Sequence, residues 1–428
     1  MNKKIAIVVA SGAAATAGAL QAQTDRSLDE TRGYAAELLA DAEQRTSLLG
    51  PGNGDSNFGF ASEDGNYTLN FNAYTQFRYT ANFRDDDNGD DFDSGFSVAR
   101  ARLYLNGNII NPDTTYVIEF GFDADKFGPT MGVTSSSNTG MGKLLDAYIK
   151  HDFGNGFTAV AGQGKLAGNR ESLIADNQTQ LIESTTLDAL LTLDRSQFVG
   201  VEYRNQQDTY LITGQFSDGA GAANTGFTDE NDGDWAVTVR GDIALLGTVG
   251  SLSSGTNSMP GGEDRAVIGF FGHLEQEPNM PGVDDVRWFQ FGADGFYDSS
   301  EGYSFLGQFI GRYVDDDGAP DEYVDIGFSL AGGFFVTNQT ELFGSWDCFS
   351  ADDDRGLDVD PVNTVMLGVN HYPFEASDNI KLSTGIALVI EETTNAGGLI
   401  SEDIVSIGLR EDSEGTQFIL ASQLQMSF

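Results

Sequence analysis

Apolar and polar residues alternate in short segments from Gly65 onward, and polar or glycine-rich stretches separate these segments. The clearest segment spans residues 66–83, where odd-numbered positions are mostly apolar or aromatic and even-numbered positions are polar. A period of two is typical of a β-strand, whose successive side chains point to opposite faces. One face should therefore contact hydrocarbon or a protein core, and the other should contact water. About sixteen such strands are predicted: 66–83, 96–108, 115–124, 143–152, 157–165, 196–204, 208–216, 234–243, 265–275, 286–297, 302–314, 321–336, 339–349, 362–373, 379–391 and 415–428.

The connections between these strands alternate in length. Every second connection is short, and those between them are longer and mostly acidic, as in 85–91 and 352–354. Short periplasmic turns alternating with long outer loops are typical of a membrane β-barrel with both termini on the periplasmic side. One connection, 244–264, should be short and is not, so either a strand boundary there is misplaced or the turn is elongated.

The pattern predicts an all-β fold, a transmembrane antiparallel β-barrel of about 16 strands with a short N-terminal helical segment. Many segments are near the ~9–11 residues that a tilted strand needs to cross a bilayer. A soluble β-sandwich also alternates, but its connections need not sort by length. A barrel of about sixteen strands is wide enough for a water-filled lumen.

The N-terminal segment has the pattern of a secretory signal peptide. Lys3 and Lys4 precede a short apolar run, and small residues follow, with plausible cleavage after Ala19 or Ala22. The run is too short and too rich in alanine and glycine for a membrane-spanning helix. A buried N-terminal helix is the alternative. We expect residues 1–22 to be removed and the chain to be exported from the cytoplasm.

The segment after the signal differs in period from the rest of the chain. Apolar residues recur at heptad-like spacing, which predicts a helical or coiled-coil segment over 23–50. So short a helix is marginal on its own, so an oligomerising coil and a disordered arm are both open. Glycine and proline end it, a linker covers 51–64, and the barrel is expected over 65–428.

The C-terminal residues form a last alternating strand. Phe418, Leu420, Leu424, Met426 and Phe428 share one face, and polar residues occupy the other. A final strand ending in phenylalanine resembles the C-terminal signature of bacterial outer-membrane barrels. Phe428 is therefore the predicted signal for the barrel-assembly machinery, and outer-membrane lipid is the predicted surrounding of the barrel.

Composition removes several other classes. Cys348 is the only cysteine, which excludes an intramolecular disulfide framework and a CxxC metal or redox site. The formal net charge of −42 argues against nucleic acid or an anionic membrane surface as a partner. After the signal, no run of 18 apolar residues predicts a transmembrane helix.

Basic residues nevertheless stand at inward positions of the predicted wall. Arg100 and Arg102 alternate with Ala101 and Leu103, and an arginine facing lipid near the midplane would cost about 2–4 kcal/mol. The arginines should therefore face the lumen, where guanidinium groups suit anions such as phosphate. The predicted pore-lining basic residues are Arg78, Arg100, Arg102, Lys150, Lys165 and Arg170, with Arg204, Arg240 and Arg312 as further candidates.

Acidic residues have the same inward parity. They are Glu119, Asp123, Asp146 and Glu202, with Asp242. If these carboxylates pair with the wall arginines, the result is a transverse field and a weakly selective channel. If they do not, the basic groups favour anions.

Several segments resemble the phosphate-selective porin O and P family. The stretches are "FSVARARLYLNGNI" (96–109), "TTYVIEFGFD" (114–123), "LLDAYIKHDF" (144–153), "TAVAGQGKL" (158–166), "LAGGFFVTNQTELFGSWD" (330–347) and "TVMLGVNHYPF" (364–374). The resemblance implies a homotrimeric outer-membrane channel whose third loop folds inward and narrows the lumen. Here that loop is 166–195, whose central leucines and isoleucines can pack against a wall. A surface helix at the mouth is the alternative.

Catalytic and metal motifs are sparse. His151, His273 and His371 lie on separate predicted strands, and none belongs to an HExxH or GxSxG motif. The glycines of the acidic loops lack the preceding aspartates of an EF-hand. No cofactor, resident metal or enzymatic activity is predicted, and loose divalent-cation bridging between acidic loops stays open.

The sequence thus favours an outer-membrane porin, a water-filled channel for passive diffusion of small hydrophilic solutes and ions. A phosphate- or anion-selective channel that uses the inward arginines and lysines is the alternative within transport. A plugged structural or adhesive barrel is the alternative from another class.

Overall fold

A computed structural model provides the fold of this chain. The structure describes residues 58–85, 91–122, 142–226, 235–253, 255, 260–276, 286–316, 322–355, 360–374, 377–393, 407–411 and 413–428. The predicted signal peptide 1–22, the predicted helical segment 23–50, residues 51–57 of the predicted linker, and Asp123 lie outside these residues.

Seventeen strands account for most of the described chain. They are β1 (Phe58–Ala61), β2 (Thr68–Phe83), β3 (Phe92–Ile109), β4 (Asn111–Gly121), β5 (Lys143–Gly154), β6 (Phe157–Lys165), β7 (Arg195–Arg204), β8 (Tyr210–Ser217), β9 (Trp235–Leu246), β10 (Arg265–Gln276), β11 (Val286–Ser299), β12 (Tyr303–Asp316), β13 (Tyr323–Thr337), β14 (Thr340–Ser350), β15 (Val362–His371), β16 (Ile380–Ile390) and β17 (Gln417–Ser427). Two short α-helices, α1 (Arg170–Leu173) and α2 (Thr186–Leu191), and the 3-10 turns Asp176–Gln178 and Asp353–Arg355 lie between strands. No helix in the described ranges is both long and apolar enough to cross a membrane.

Strands β2 to β17 form a closed barrel. Each pairs antiparallel with the next along the chain, and β17 closes the ring on β2 through pairs from Phe418 with Phe83 to Ser427 with Tyr74. The predicted antiparallel barrel of sixteen strands is therefore confirmed. The short β1 lies inside the predicted linker and pairs with the start of β2, with Ala61 opposite Thr68.

Side chains alternate between the outside and the inside of the wall. On β12, Phe305 and Phe309 are 47% and 41% exposed, whereas Leu306 and Ile310 are 4% and 0% exposed. Outward phenylalanine, valine, leucine and isoleucine side chains recur on most strands. A continuous apolar exterior of this kind is costly in water and suits hydrocarbon.

A β-bulge changes the phase of β3. Arg100 pairs with Gln76 while Val98 pairs with Phe77, so Ala99 is an extra residue on β3. Because a bulge places two residues opposite one, it shifts the alternation by one position. Phe96 and Val98 therefore face outward, at 71% and 40% exposure, although Arg100 has the same parity and faces inward.

The connections follow the predicted alternation in length, with two differences. A single residue, Ile110 with φ 72°, separates β3 from β4, so the turn is tighter than the gap between the predicted strands 96–108 and 115–124. Residues 247–264 separate β9 from β10, so the connection that broke the alternation is an elongated turn. It lies at the same end of the barrel as the short turns because it follows an odd-numbered strand, as they do.

Candidate functional site

The connection between β6 and β7, residues 166–194 and hereafter the inner loop, packs inside the barrel. Leu187 and Leu191 are four residues apart and so share one face of α2. They are 0% and 1% exposed and belong to one apolar cluster with the inward residues Ile310 and Phe349. Ile182, which precedes α2 in the inner loop, belongs to a second apolar cluster on the β14–β17 wall. Burying each leucine or isoleucine side chain contributes about 1.5–3 kcal/mol, which favours the inward position of the loop.

Polar contacts hold the inner loop to the same wall. The Asp347 carboxylate accepts a hydrogen bond from the Leu187 backbone N–H at 3.3 Å, and the side-chain amide of Gln180 donates to Glu341 at 2.5 Å. Thr185 caps α2 by accepting a hydrogen bond from the Asp188 N–H at 3.2 Å. These contacts lie on the half of the lumen formed by β9–β17.

On the other side of the inner loop, two of its carboxylates face arginines of β2 and β3. Arg78 Nη2 lies 2.7 Å from Glu183 Oε2, and the Arg100 guanidinium pairs with both oxygens of Glu183. Arg100 Nε also donates to Asp176 Oδ2 at 3.0 Å. Arg102 Nη2 lies 3.4 Å from the same oxygen of Asp176. The three predicted pore arginines of these strands are thus bound to the inner loop.

The two faces of the inner loop place their carboxyl groups in opposite electrostatic settings. Burial alone would raise the pKa of Glu183, but Arg100 and Arg78 lower it to about 2. Burial likewise opposes ionisation of Asp176, yet the charges around it, led by Arg100, hold its pKa well below the ordinary value. On the face toward β12–β14, burial raises the pKa of Glu171 to about 8, reinforced by Asp188. Burial also raises the pKa of Asp188 to about 6.

A polar cavity of about 1220 Å³ occupies the other half of the lumen. Its wall comes from β2–β8 together with the C-terminal Ser427 and Phe428. The inner loop contributes residues 167, 173 and 175–178, and the elongated turn contributes residues 250–253. Arg78, Arg100, Arg102 and Arg170 are not among the residues that line this cavity.

The charged groups that line the cavity are of both signs. Lys150 Nζ lies 2.7 Å from Glu202 Oε1, and the Arg195 guanidinium lies 2.6 Å from Asp146 Oδ1 and 3.4 Å from Glu119 Oε2. Glu119 and Asp146 stand opposite each other on β4 and β5, so Arg195 bridges two like charges. The full set is Lys150, Lys165, Arg195 and Arg204 with Glu119, Asp146, Asp176, Glu202, Asp208 and Asp378.

The remaining predicted residues occupy different surroundings. Lys165 lines the cavity, and its ammonium donates to the Ile174 carbonyl at 3.0 Å. Arg170 is 1% exposed, and its guanidinium lies over the Phe296 ring at 5.0 Å and 3.9 Å from Asp242 Oδ1. Phe428 exchanges backbone hydrogen bonds of 2.7 and 2.9 Å with Ala73, and its side chain is 61% exposed.

Sequence reasoning did not select Asp176, Glu183, Arg195 or Asp208 as site residues. Arg195 opens β7 but was assigned to the end of the predicted loop, and Asp208 lies in a short turn. Asp176 and Glu183 are the charged residues between Glu171 and Asp188 of the inner loop. The sequence signal for these two residues is that both carboxylates lie in a segment expected to fold inward, beside the arginines of the wall.

A closed barrel with an apolar exterior and a charged cavity beside an inward loop defines a pore-forming protein of the outer membrane. In sequence, residues 71–251 match the family described as phosphate-selective porin O and P, so the resemblance to that family is confirmed over this part of the chain. That match and the porin-like barrel indicate an outer-membrane channel for passive diffusion. This family and fold indicate a channel rather than an enzyme.

Solved structures share the fold at low sequence identity. The anion-selective porin from Comamonas acidovorans matches with a TM-score of 0.57 at 10% identity, over 85% of this chain and 100% of that chain. OmpF of Salmonella typhi in complex with daunomycin matches with a TM-score of 0.55 at 12% identity, over 86% and 99%. The trimer form of in-vitro folded OmpT of Vibrio cholerae matches with a TM-score of 0.51 at 12% identity, over 84% and 99%. Among curated protein sequences, none matches significantly.

Within the described ranges, no group of three or more histidine, cysteine, aspartate or glutamate side chains could hold a metal ion.

Proposed function

We propose that solutes cross the barrel through the cavity between the inner loop and the β2–β8 wall, with weak selection by charge. The observation that carries this proposal is the pairing of Lys150 with Glu202 and of Arg195 with Asp146 and Glu119. A basic group that already faces a carboxylate attracts a passing anion less than an isolated one does. Small hydrophilic solutes and ions of either sign are therefore the proposed cargo.

The three arginines of β2 and β3 have a different proposed role. Arg78, Arg100 and Arg102 hold the inner loop by its carboxylates instead of contacting the solute. Charge-assisted hydrogen bonds to a buried carboxylate are strong enough to fix a loop in one position. The proposed solute-facing residues are Lys150, Lys165, Arg195 and Arg204 with Glu119, Asp146 and Glu202.

Anion selectivity is the second candidate, supported by one observation at Lys165. Its ammonium donates to a backbone carbonyl and has no carboxylate within 4.0 Å among the residues that the structure describes, so its charge is less neutralised than those of Lys150 and Arg195. The family match and the anion-selective structural neighbour agree with this candidate. The acidic groups that line the cavity oppose it.

The assembly is proposed to be a homotrimer, and no catalytic role is proposed. One supporting observation for the trimer is that a structural neighbour with 99% of its length matched has a trimer form.

The three histidines lie on β5, β10 and β15, and His273 is fully buried against Thr238 and Glu275.

Planar-bilayer recordings under a salt gradient test the proposal. The expected result is an open channel with a reversal potential near zero. A reversal potential that shows a strong preference for anions would support an anion-selective channel instead of a weakly selective one. Lys165→Gln should then reduce that preference. An absence of conductance would favour a plugged structural or adhesive barrel.

A further inference from the structure

The elongated turn between β9 and β10 reaches the lumen. Its residues 247–253 and Gly255 are hereafter the flap. Residues 250–253 line the cavity beside residues 175–178 of the inner loop. The short turns at this end of the barrel contain fewer residues than this one. Those between β3 and β4 and between β13 and β14 have one and two residues.

Residues of β7 and of the β7–β8 turn form hydrogen bonds with one end of the flap. The Val249 N–H donates to the Asp208 carbonyl at 2.7 Å, and the Gly250 N–H donates to the Asp208 carboxylate at 3.2 Å. Arg204 pairs with that carboxylate and donates to the Gly250 carbonyl at 3.1 Å. Val249 is fully buried, so this end of the flap is fixed to the wall.

The inner loop holds the other end of the flap. The Ala175 N–H donates to the Ser253 carbonyl at 3.1 Å, and the Gly255 N–H donates to the Gln178 side-chain carbonyl at 3.1 Å. Gly255 packs so closely that a Cβ there would lie 1.9 Å from the Gln178 backbone carbonyl oxygen. The flap thus links the β7–β8 wall to the tip of the inner loop across one side of the cavity.

We propose that the flap is a second constriction of the channel, at the end of the barrel where the short turns lie. Together with the inner loop, it sets the largest solute that passes. This inference rests on the proposed route through the cavity. It assigns size selection to a segment of small and apolar residues that carries no charge, whereas charge selection belongs to the charged residues of the β2–β8 wall.

Modification of an engineered cysteine tests whether the flap borders the ion path. In a Cys348→Ser background, Ser251→Cys is treated with a positively charged thiol reagent while single channels are recorded. The expected result is a fall in conductance of about twofold, because bulk and charge are added at a narrow place. The matched variant Asn338→Cys, in the exposed turn between β13 and β14, should show no change.

A second variant tests whether contact with the inner loop fixes the width. Gly255→Val cannot keep its approach to Gln178, so the flap should move away and larger neutral polymers should enter from the short-turn end. Gly95→Ala, at an exposed position of β3 with open space around it, is the reference for folding and size cut-off.

The outcomes separate this inference from the proposed function. An unmodified protein without conductance refutes the proposed channel. A conducting protein in which Ser251→Cys does not respond to the reagent refutes the flap as a constriction. An unchanged polymer cut-off in Gly255→Val refutes its role in setting size.

Discussion

The two halves of the lumen are built from the same alternating strands yet hold different contents. On the β9–β17 half, the inner loop packs against inward apolar side chains such as Ile310 and Phe349 and bonds to polar ones such as Glu341 and Asp347. On the β2–β8 half, tyrosine, asparagine and charged side chains surround a cavity. Alternation therefore decides which residues face inward, and the position of the inner loop decides whether that part of the interior is filled or open.

The inner loop meets the two halves with opposite surfaces. Leu187 and Leu191 face the filled half, whereas Asp176 and Glu183 face the arginines at the edge of the open half. A loop with only the apolar face could settle against any apolar wall. We expect the ion pairs with Arg78 and Arg100 to restrict the loop to one position, a role that buried charge has in some proteins.

The largest effect is expected from breaking the ion pairs on the open side. Glu183→Ala leaves the buried Arg78 and Arg100 without their shared carboxylate, and losing one partner of a buried pair typically costs about 3–5 kcal/mol. We expect the inner loop to leave its position, with noisy, larger single-channel currents and a lower thermal unfolding temperature. Quiet currents of normal size in the variant would show that the apolar face alone holds the loop.

Removing apolar contact on the filled side should have the next largest effect. Leu187→Ala empties part of a fully buried site, which typically costs about 2–5 kcal/mol. The unfolding temperature should fall while the reversal potential stays unchanged, because the charges that line the cavity keep their partners. Val98→Ala, on the outer face of β3, should lower the unfolding temperature much less. A changed reversal potential would mean that the two halves are not independent.

Raising the pH through the neutral range should loosen the filled side in a graded way. Glu171 has a pKa of about 8 in the folded barrel, raised by burial, against an ordinary value of 4.5. Its contribution to stability is therefore full below about pH 4.5 and is lost as the pH rises through about 8. The unfolding temperature should fall between about pH 5 and pH 8 and level off above that range, and Glu171→Gln should flatten that part of the profile. An identical fall in the variant would assign the pH dependence to other groups.

The smallest effect is expected from a single pair on the open side. Lys150 and Glu202 are partly exposed, and such pairs contribute about 0–1 kcal/mol to stability. Glu202→Gln should leave the unfolding temperature unchanged and move the reversal potential toward anions by a few millivolts. Glu301→Gln, in an exposed turn, is the matched removal of one negative charge. Equal shifts in the two variants would make the effect one of net charge.

Sequence reasoning reached the barrel because alternation is local and repeats sixteen times. The partners of Arg100 could not be predicted in the same way, because Glu183 lies 83 residues further along the chain. The bulge at Ala99 and the tight turn at Ile110 depend on the pairing of β3 with its neighbours. The elongated turn was visible as a length that broke the pattern, but its contact with Ala175 and Gln178 required the folded inner loop.

The pairing of β17 with β2 has a consequence for the order of folding. Most ladders of the barrel join strands that follow each other along the chain, and such hairpins need only short loops to close. The bond between Arg78 and Gln423 joins residues 345 positions apart. Because the entropy lost in closing a loop grows with its length, this seam should be the last and slowest ladder to form. Until it does, β2 and β17 each present an open edge, which hydrocarbon does not tolerate. Closure and insertion into the bilayer are thus expected to be coupled events.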